Sequence, residues 1–174
     1  MARVDAELLD SGVPATPSRR RLMTLWIDAD ATPRDVKEIV FRAALRLELA
    51  TVLVANARMA TPANNPFVTA VRVGGGPDVA DQYIVDEAVE GDLAVTADIP
   101  LAAQLVEKGV IAIDPRGELF TEANIGERLS VRDFMQGLRD TGVETGGPRA
   151  WSQRDKQAFA NALDRTLTRM LRAR

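Results

Sequence analysis

Apolar positions along the chain fall into two alternating rhythms. Thr24–Ile27, Thr51–Ala55, Val68–Val73, Asp92–Thr96 and Val110–Ile113 are short apolar or β-branched runs closed by turn residues, and each predicts a buried strand. Between them lie longer stretches with helical period. Asp35–Leu49 places Val36, Ile39, Val40, Ala43, Ala44 and Leu47 on one face. Asp78–Val89, Pro100–Lys108 and Thr121–Asp140 read as further helices, the last with a break expected near Ser130. Ser152 is placed to cap a final amphipathic helix whose apolar side holds Phe159, Leu163, Leu167, Met170 and Leu171.

Strands alternating with helices predict an α/β fold. It is a three-layer α/β/α arrangement around a central, mostly parallel five-stranded sheet, ordered 3-2-1-4-5 by analogy with doubly wound folds. Three segments are expected. Residues 1–22, with Pro14, Pro17 and Arg19–Arg21 but no apolar core of a signal peptide, read as a flexible leader. Residues 23–140 form the α/β domain. Residues 141–174 supply a Gly/Pro linker and the amphipathic helix, packing on that domain. No apolar stretch reaches the length of a membrane span, about 20 residues, so a cytoplasmic protein without membrane contact is expected.

The 174 residues include no His and no Cys, which removes imidazole bases, thiol nucleophiles and the usual zinc ligands. Carboxylates are left as the actors. The first strand runs straight into Asp28-Ala29-Asp30-Ala31-Thr32-Pro33, and the fourth into Thr96-Ala97-Asp98. The expected strand order puts a switch point between strands 1 and 4, where ligands of such sheets bind. It thereby brings Asp28, Asp30 and Asp98 to one crevice. Asp35 and Glu38 follow on the first helix, and Asp78 and Asp81, three apart, share a face of the next. Crowded carboxylates raise one another's pKa and are relieved by a hard cation such as Mg²⁺ or Mn²⁺. Such an ion can activate water against a phosphodiester.

Each of these residues has a quieter reading. Asp28, Asp30, Asp78 and Asp98 can cap helices, Asp35 suits a helix N-terminus, and Asp81 can be a solvated helix position. Gly74-Gly75-Gly76 lacks both the Walker lysine and the Rossmann spacing and reads as a turn. Arg116, after strand 5, can approach the crevice, whereas Arg132 with Asp133 and Arg154 with Asp155 read as structural ion pairs. Charge is uneven: residues 149–174 carry seven Arg/Lys against two Asp, net +5, and the rest of the chain carries −8. The basic tail is either a solvated face or a polyanion-binding arm.

The stretches WIDADATP (26–33), VANARM (54–59), GPDVADQYIV (76–85), DLAVTADIPLA (92–102), DPRGELFT (114–121), LSVRDFM (129–135), TGGP (145–148) and SQRDKQAF (152–159) closely resemble the YaiI/YqxD family of bacterial proteins, which belong with the PIN-like domains. The resemblance runs from Met23 through nearly the whole domain. It implies a metal-dependent ribonuclease in which Asp28 is the first acidic residue, Glu38 the helix glutamate, Asp78 or Asp81 the next acid, and Thr96 with Asp98 the Thr-x-Asp after strand 4. The family commonly carries Cys where this chain has Thr32, so that position here offers only a hydroxyl, to contact a ligand or cap the helix.

The leading expectation is therefore a Mg²⁺- or Mn²⁺-dependent nuclease acting on RNA. Asp28, Asp30 and Asp98 are its catalytic carboxylates, Asp28, Asp78, Asp81 and Asp98 its metal ligands, and Thr32, Thr96 and Arg116 its substrate contacts. Two alternatives stand beside it. One is a non-catalytic, metal-stabilised module binding RNA, a nucleotide or a protein. The other is a haloacid dehalogenase-like phosphatase, suggested by Asp28-x-Asp30-x-Thr32 but weakened by the order of its motifs and by having only Lys37, Lys108 and Lys156 to supply its cation. The sequence sets no oligomeric state.

Overall fold

The computed structural model describes residues 23–174, so the leader expected over residues 1–22 lies outside the described residues. The elements run in the order β1 (Leu25–Asp28), α1 (Arg34–Leu47), β2 (Thr51–Ala55), β3 (Val68–Arg72), α2 (Val79–Glu87), β4 (Leu93–Val95), α3 (Ile99–Glu107), β5 (Ile111–Ile113), β6 (Leu119–Phe120), α4 (Glu122–Asp140) and α5 (Gln153–Arg172). One sheet holds all six strands in the order β3-β2-β1-β4-β5-β6. The first five are parallel, as expected. The sixth, β6, is antiparallel to β5 through Ala112↔Phe120 and Ile113↔Leu119. At two residues it is too short to carry any periodicity.

Strand alternation divides the core into layers. Leu25 and Ile27 of β1 and Leu93 and Val95 of β4 point to the face covered by α1 and α5, where Val36, Val40, Phe159, Leu163 and Leu167 pack. Trp26 and Ala94 point the other way, onto Ala80 and Ile84 of α2 and Leu101 and Leu105 of α3. The apolar stripe read on the last helix is thus the face α5 buries. Its start is held by a capping box in which the Ser152 and Asp155 side chains bond each other's backbone amides.

Two details correct the sequence reading. Helix α4 is continuous through Ser130, whose hydroxyl donates to the Gly126 carbonyl one turn back at 3.0 Å rather than breaking the helix. Asp155 pairs not with its neighbour Arg154 but with Arg149 and Arg116.

Strands β1 and β4 are fastened at their amino ends by Asp92. Its buried carboxylate accepts from the Thr24 amide at 2.9 Å, the Trp26 indole at 3.0 Å and the Val89 amide at 3.1 Å. This fixes Ile27 opposite Val95, and so sets where the chain leaves each strand at its carboxyl end.

Candidate functional site

β1 lies between β2 and β4, and the connections leaving it and β4 go to opposite faces of the sheet. The carboxyl edge therefore splits open at β1 and β4, the position where open α/β sheets take ligands. Asp28 closes β1 with its side chain buried. Thr96, fully buried, comes directly after β4 and serves two neighbours at once. Its hydroxyl donates to Asp28 Oδ2 at 3.2 Å and accepts from the Asp98 amide at 3.0 Å. One hydroxyl thus sets the relation between the two strand ends.

Asp98 caps α3: its Oδ1 accepts from the Leu101 amide at 2.9 Å, and Pro100 fills an early helical position. The capping role expected of an aspartate here is real, and it uses one of two carboxylate oxygens. Asp81, in the first turn of α2, comes close enough to Asp98 for a carboxyl–carboxyl hydrogen bond that favours its protonated form. Burial is the largest cause holding the Asp81 pKa up, followed by the charges of Asp98, Asp28 and Asp78, and together they push it to about 6. Burial also raises Asp28, opposed by the Thr96 hydrogen bond and reinforced by the charges of Asp98 and Asp30.

The remaining candidates fall around this pair. Asp78 occupies the N-cap of α2 with φ +65°, a left-handed conformation that costs a non-glycine residue energy, and its side chain makes no capping bond. Asp30 is exposed and accepts from the Asn56 amide at 2.8 Å, pinning the turn after β1 to the loop after β2. The buried Thr32 hydroxyl donates to the Asp28 carbonyl at 2.7 Å and so shapes that turn from within. Arg116 is spent on other partners. It meets Asp155 at 2.8 Å and the Arg149 carbonyl, while the Trp151 indole bonds the adjacent Pro115 carbonyl at 3.2 Å. Glu38 pairs with Arg34 at 3.0 Å on α1, and Asp35 meets Lys156 of α5 at 3.4 Å.

A cavity of about 400 Å³ opens beside the acidic residues, with Asp78, Asp81, Gln82, Asp98, Gln104 and Arg132 in its wall. Sequence reasoning alone misses Gln82, Gln104 and Arg132 as site residues. Gln82 lies four positions beyond Asp78 and Gln104 three beyond Leu101, so helical spacing places them on the site-facing sides of α2 and α3. Arg132 does make the expected pair with Asp133, at 3.0 Å, and also presents a cation to the acidic cavity. None of the three lysines lines this cavity.

The donor chemistry suits a hard divalent cation: carboxylates, a hydroxyl and amide oxygens, without soft ligands. Among the described residues no group of three or more Asp or Glu side chains is placed so that it could hold a metal ion. Mg²⁺ commonly takes only one or two carboxylates and completes its shell with water and phosphate. Asp81 and Asp98 share the wall of the cavity.

Residues 26–169 match the family model described as "Uncharacterized BCR, YaiI/YqxD family". The chain belongs to the YaiI/YqxD family. Relatives of similar length share most of it. A "UPF0178 protein" of Myxococcus xanthus is 56% identical over 150 residues, covering 86% of this chain and 97% of its own. One from Shewanella sp. (strain MR-4) is 58% identical over 146 residues, 84% of this chain and 97% of its own. One from Trichlorobacter lovleyi is 57% identical over 150 residues, with coverage of 86% and 97%. No solved structure matches this YaiI/YqxD chain. None of its described helices is long and apolar enough to cross a membrane.

Proposed function

We propose that this YaiI/YqxD protein is a Mg²⁺- or Mn²⁺-dependent nuclease that hydrolyses RNA phosphodiesters at the crevice between β1 and β4. The observation that carries the reading is the Thr96 hydroxyl, which ties Asp28 at the end of β1 to the Asp98 segment after β4 beside the cavity that Asp81 and Asp98 both line. Folding alone gains nothing from gathering like charges, so a cation is the natural complement. Asp28, Asp78, Asp81 and Asp98 would hold it, with Asp30 as a further ligand or as the group orienting water. When bound, the ion supplies an activated water and neutralises phosphate charge. Thr96 keeps Asp28 and Asp98 in register, and Arg132 offers a guanidinium to a phosphate oxygen.

The test is cleavage of labelled RNA by purified protein with Mn²⁺, Mg²⁺ or chelator. Cleavage should require metal and disappear in Asp28→Asn and Asp98→Asn variants that still fold. Cleavage retained in both variants would reject the proposal. A second reading, a metal-stabilised binding module without hydrolysis, draws support from the use of an Asp98 oxygen as a helix cap. Thermal stabilisation by Mn²⁺ with no cleavage of any nucleic acid would select it.

A further inference from the structure

A second and larger concavity, of about 800 Å³, runs along α1 and under the loop after β2. Its wall carries Arg34, Lys37 and Arg42 from the helix, Arg58 and Met59 from the loop, and the ring of Phe41. The one carboxylate among these described wall residues, Glu38, is already paired with Arg34. Arg42 and Arg58 make no ion pair among the described residues, and both are exposed. This concentration of cations stands on a chain whose net charge is −3. The groove and the acidic cavity share no wall residue, and the turn after β1 connects them. Lys37 Nζ donates to the carbonyl of Ala29, the residue between Asp28 and Asp30, at 3.2 Å, and Asp30 holds the start of the same loop through Asn56.

We infer that this groove is the track for single-stranded RNA entering the crevice, with Arg42 and Arg58 on phosphates and Phe41 and Met59 against a base. The inference rests on the nuclease reading for its direction, but binding can be tested without cleavage. Cations interleaved with flat or polarisable apolar groups are the combination that holds single strands irrespective of sequence. The volume falls within the range of pockets that enclose a small organic group, about 300–1,000 Å³.

The basic tail is the competing track, and its position counts against it. Arg174, after the end of α5, donates to the Gly91 carbonyl at 2.8 Å, just before β4. That end of α5 therefore lies at the amino edge of the sheet, opposite the crevice. The cleft formed by Arg165, Arg169 and Arg172 there shares its wall with Asp164 and offers no aromatic ring.

The experiment measures binding of a single-stranded oligoribonucleotide in chelator, which withholds the ion that cleavage requires, over a series of salt concentrations. The full chain should bind with a salt-dependent affinity. Arg42→Ala together with Arg58→Ala should weaken binding at least about tenfold and flatten the log–log salt slope by about 0.7 for each cation removed. Arg165→Ala with Arg169→Ala should leave both unchanged, and circular dichroism should show all variants folded. Three results would overturn the inference: no binding by the wild type, weakened binding only in the tail variant, or a mononucleotide competing as well as the oligomer. If the groove variant loses binding while no metal yields cleavage, the track stands and hydrolysis falls. If RNA is cleaved equally well with and without the groove cations, hydrolysis stands and the track falls.

Discussion

Two aspartate clusters, each with one buried carboxylate, sit at the carboxyl edge of the sheet and obey opposite electrostatic plans. At the start of α5, Asp155 is surrounded by donors. Arg149 grips both oxygens at 2.6 and 2.7 Å, Arg116 adds a contact at 2.8 Å, and the Ser152 amide adds one at 2.9 Å. The Arg149 guanidinium, foremost among these, holds the Asp155 carboxyl far below the usual carboxylate range. In the crevice, Asp28, Asp81 and Asp98 face one another instead, and burial and mutual charge push Asp28 and Asp81 up. The fold readily neutralises a buried carboxylate where its task is to hold a helix in place. In the crevice no ion pair among the described residues reaches Asp28, Asp81 or Asp98, and Arg132 in the cavity wall pairs with Asp133 instead.

Removing the crevice carboxylates gives the largest predicted effect. Asp28→Asn or Asp98→Asn should lower metal-dependent RNA cleavage by about a hundredfold or more. Asp28→Asn should leave the melting temperature unchanged or slightly higher, since it relieves repulsion. On the other side of the comparison, the Asp155 cluster brings the turn at Gly117 against α5. Gly117 has φ +89°, and a Cβ there would sit 2.6 Å from the Ala158 carbonyl oxygen. Gly117→Ala should therefore destabilise the protein by about 2 kcal/mol or more in chemical denaturation, with metal-dependent cleavage per folded molecule retained. Asp155→Asn should lower the melting temperature by several degrees without touching the metal requirement. A crevice variant that unfolds the protein, or an Asp155 variant that abolishes cleavage of a folded one, would erase the distinction.

Thr96→Val tests what joins the crevice together. It keeps the buried shape but leaves Asp28 Oδ2 and the Asp98 amide without their shared partner. A loss of about 1–3 kcal/mol in stability is expected.

The smallest effect is in pH. Folded Asp81 binds its proton near pH 6, whereas an unfolded aspartate does so near 3.8. Between these values the folded state holds more protons, so this residue makes the metal-free protein more stable as pH falls from about 6 toward about 4. Asp28 acts in the same direction. Asp155 acts oppositely: its contribution is complete above the unfolded value near 3.8 and is lost as pH drops below it. Thermal melts in chelator across this range should show both limbs, and Asp81→Asn should flatten the upper one. With Mn²⁺ present, stabilisation by the ion should shrink below about pH 6 as protons compete for Asp81.

Much of this architecture is legible in the chain. The apolar runs at 51–55 and 111–113 and the stripe from Phe159 to Met170 are long or regular enough to declare which side they bury. Asp28 and Asp98 are legible because each comes after a strand whose place in the sheet can be inferred. Other features depend on contacts between distant segments. The pairing of Asp155 with Arg116 and Arg149 rather than Arg154 arises from the turn at 114–117 docking on α5. The groove draws Arg34, Lys37 and Arg42 from a helix and Arg58 from a loop, so no local motif announces it. Arg132 is hidden by a genuine neighbour, Asp133, that explains its charge without reference to the cavity.

The double fastening of β1 to β4, by Asp92 at one end and Thr96 at the other, makes the two strands a gauge block. The separation of Asp28 and Thr96 is inherited from strand spacing, about 4.8 Å, rather than from the side chains that later fill the cavity. Those side chains can be exchanged one at a time and the gauge still reads true. One residue inserted between Asp92 and Thr96 would instead reverse the faces of every position after it. The Asp28–Thr96 bond would be lost in that single step.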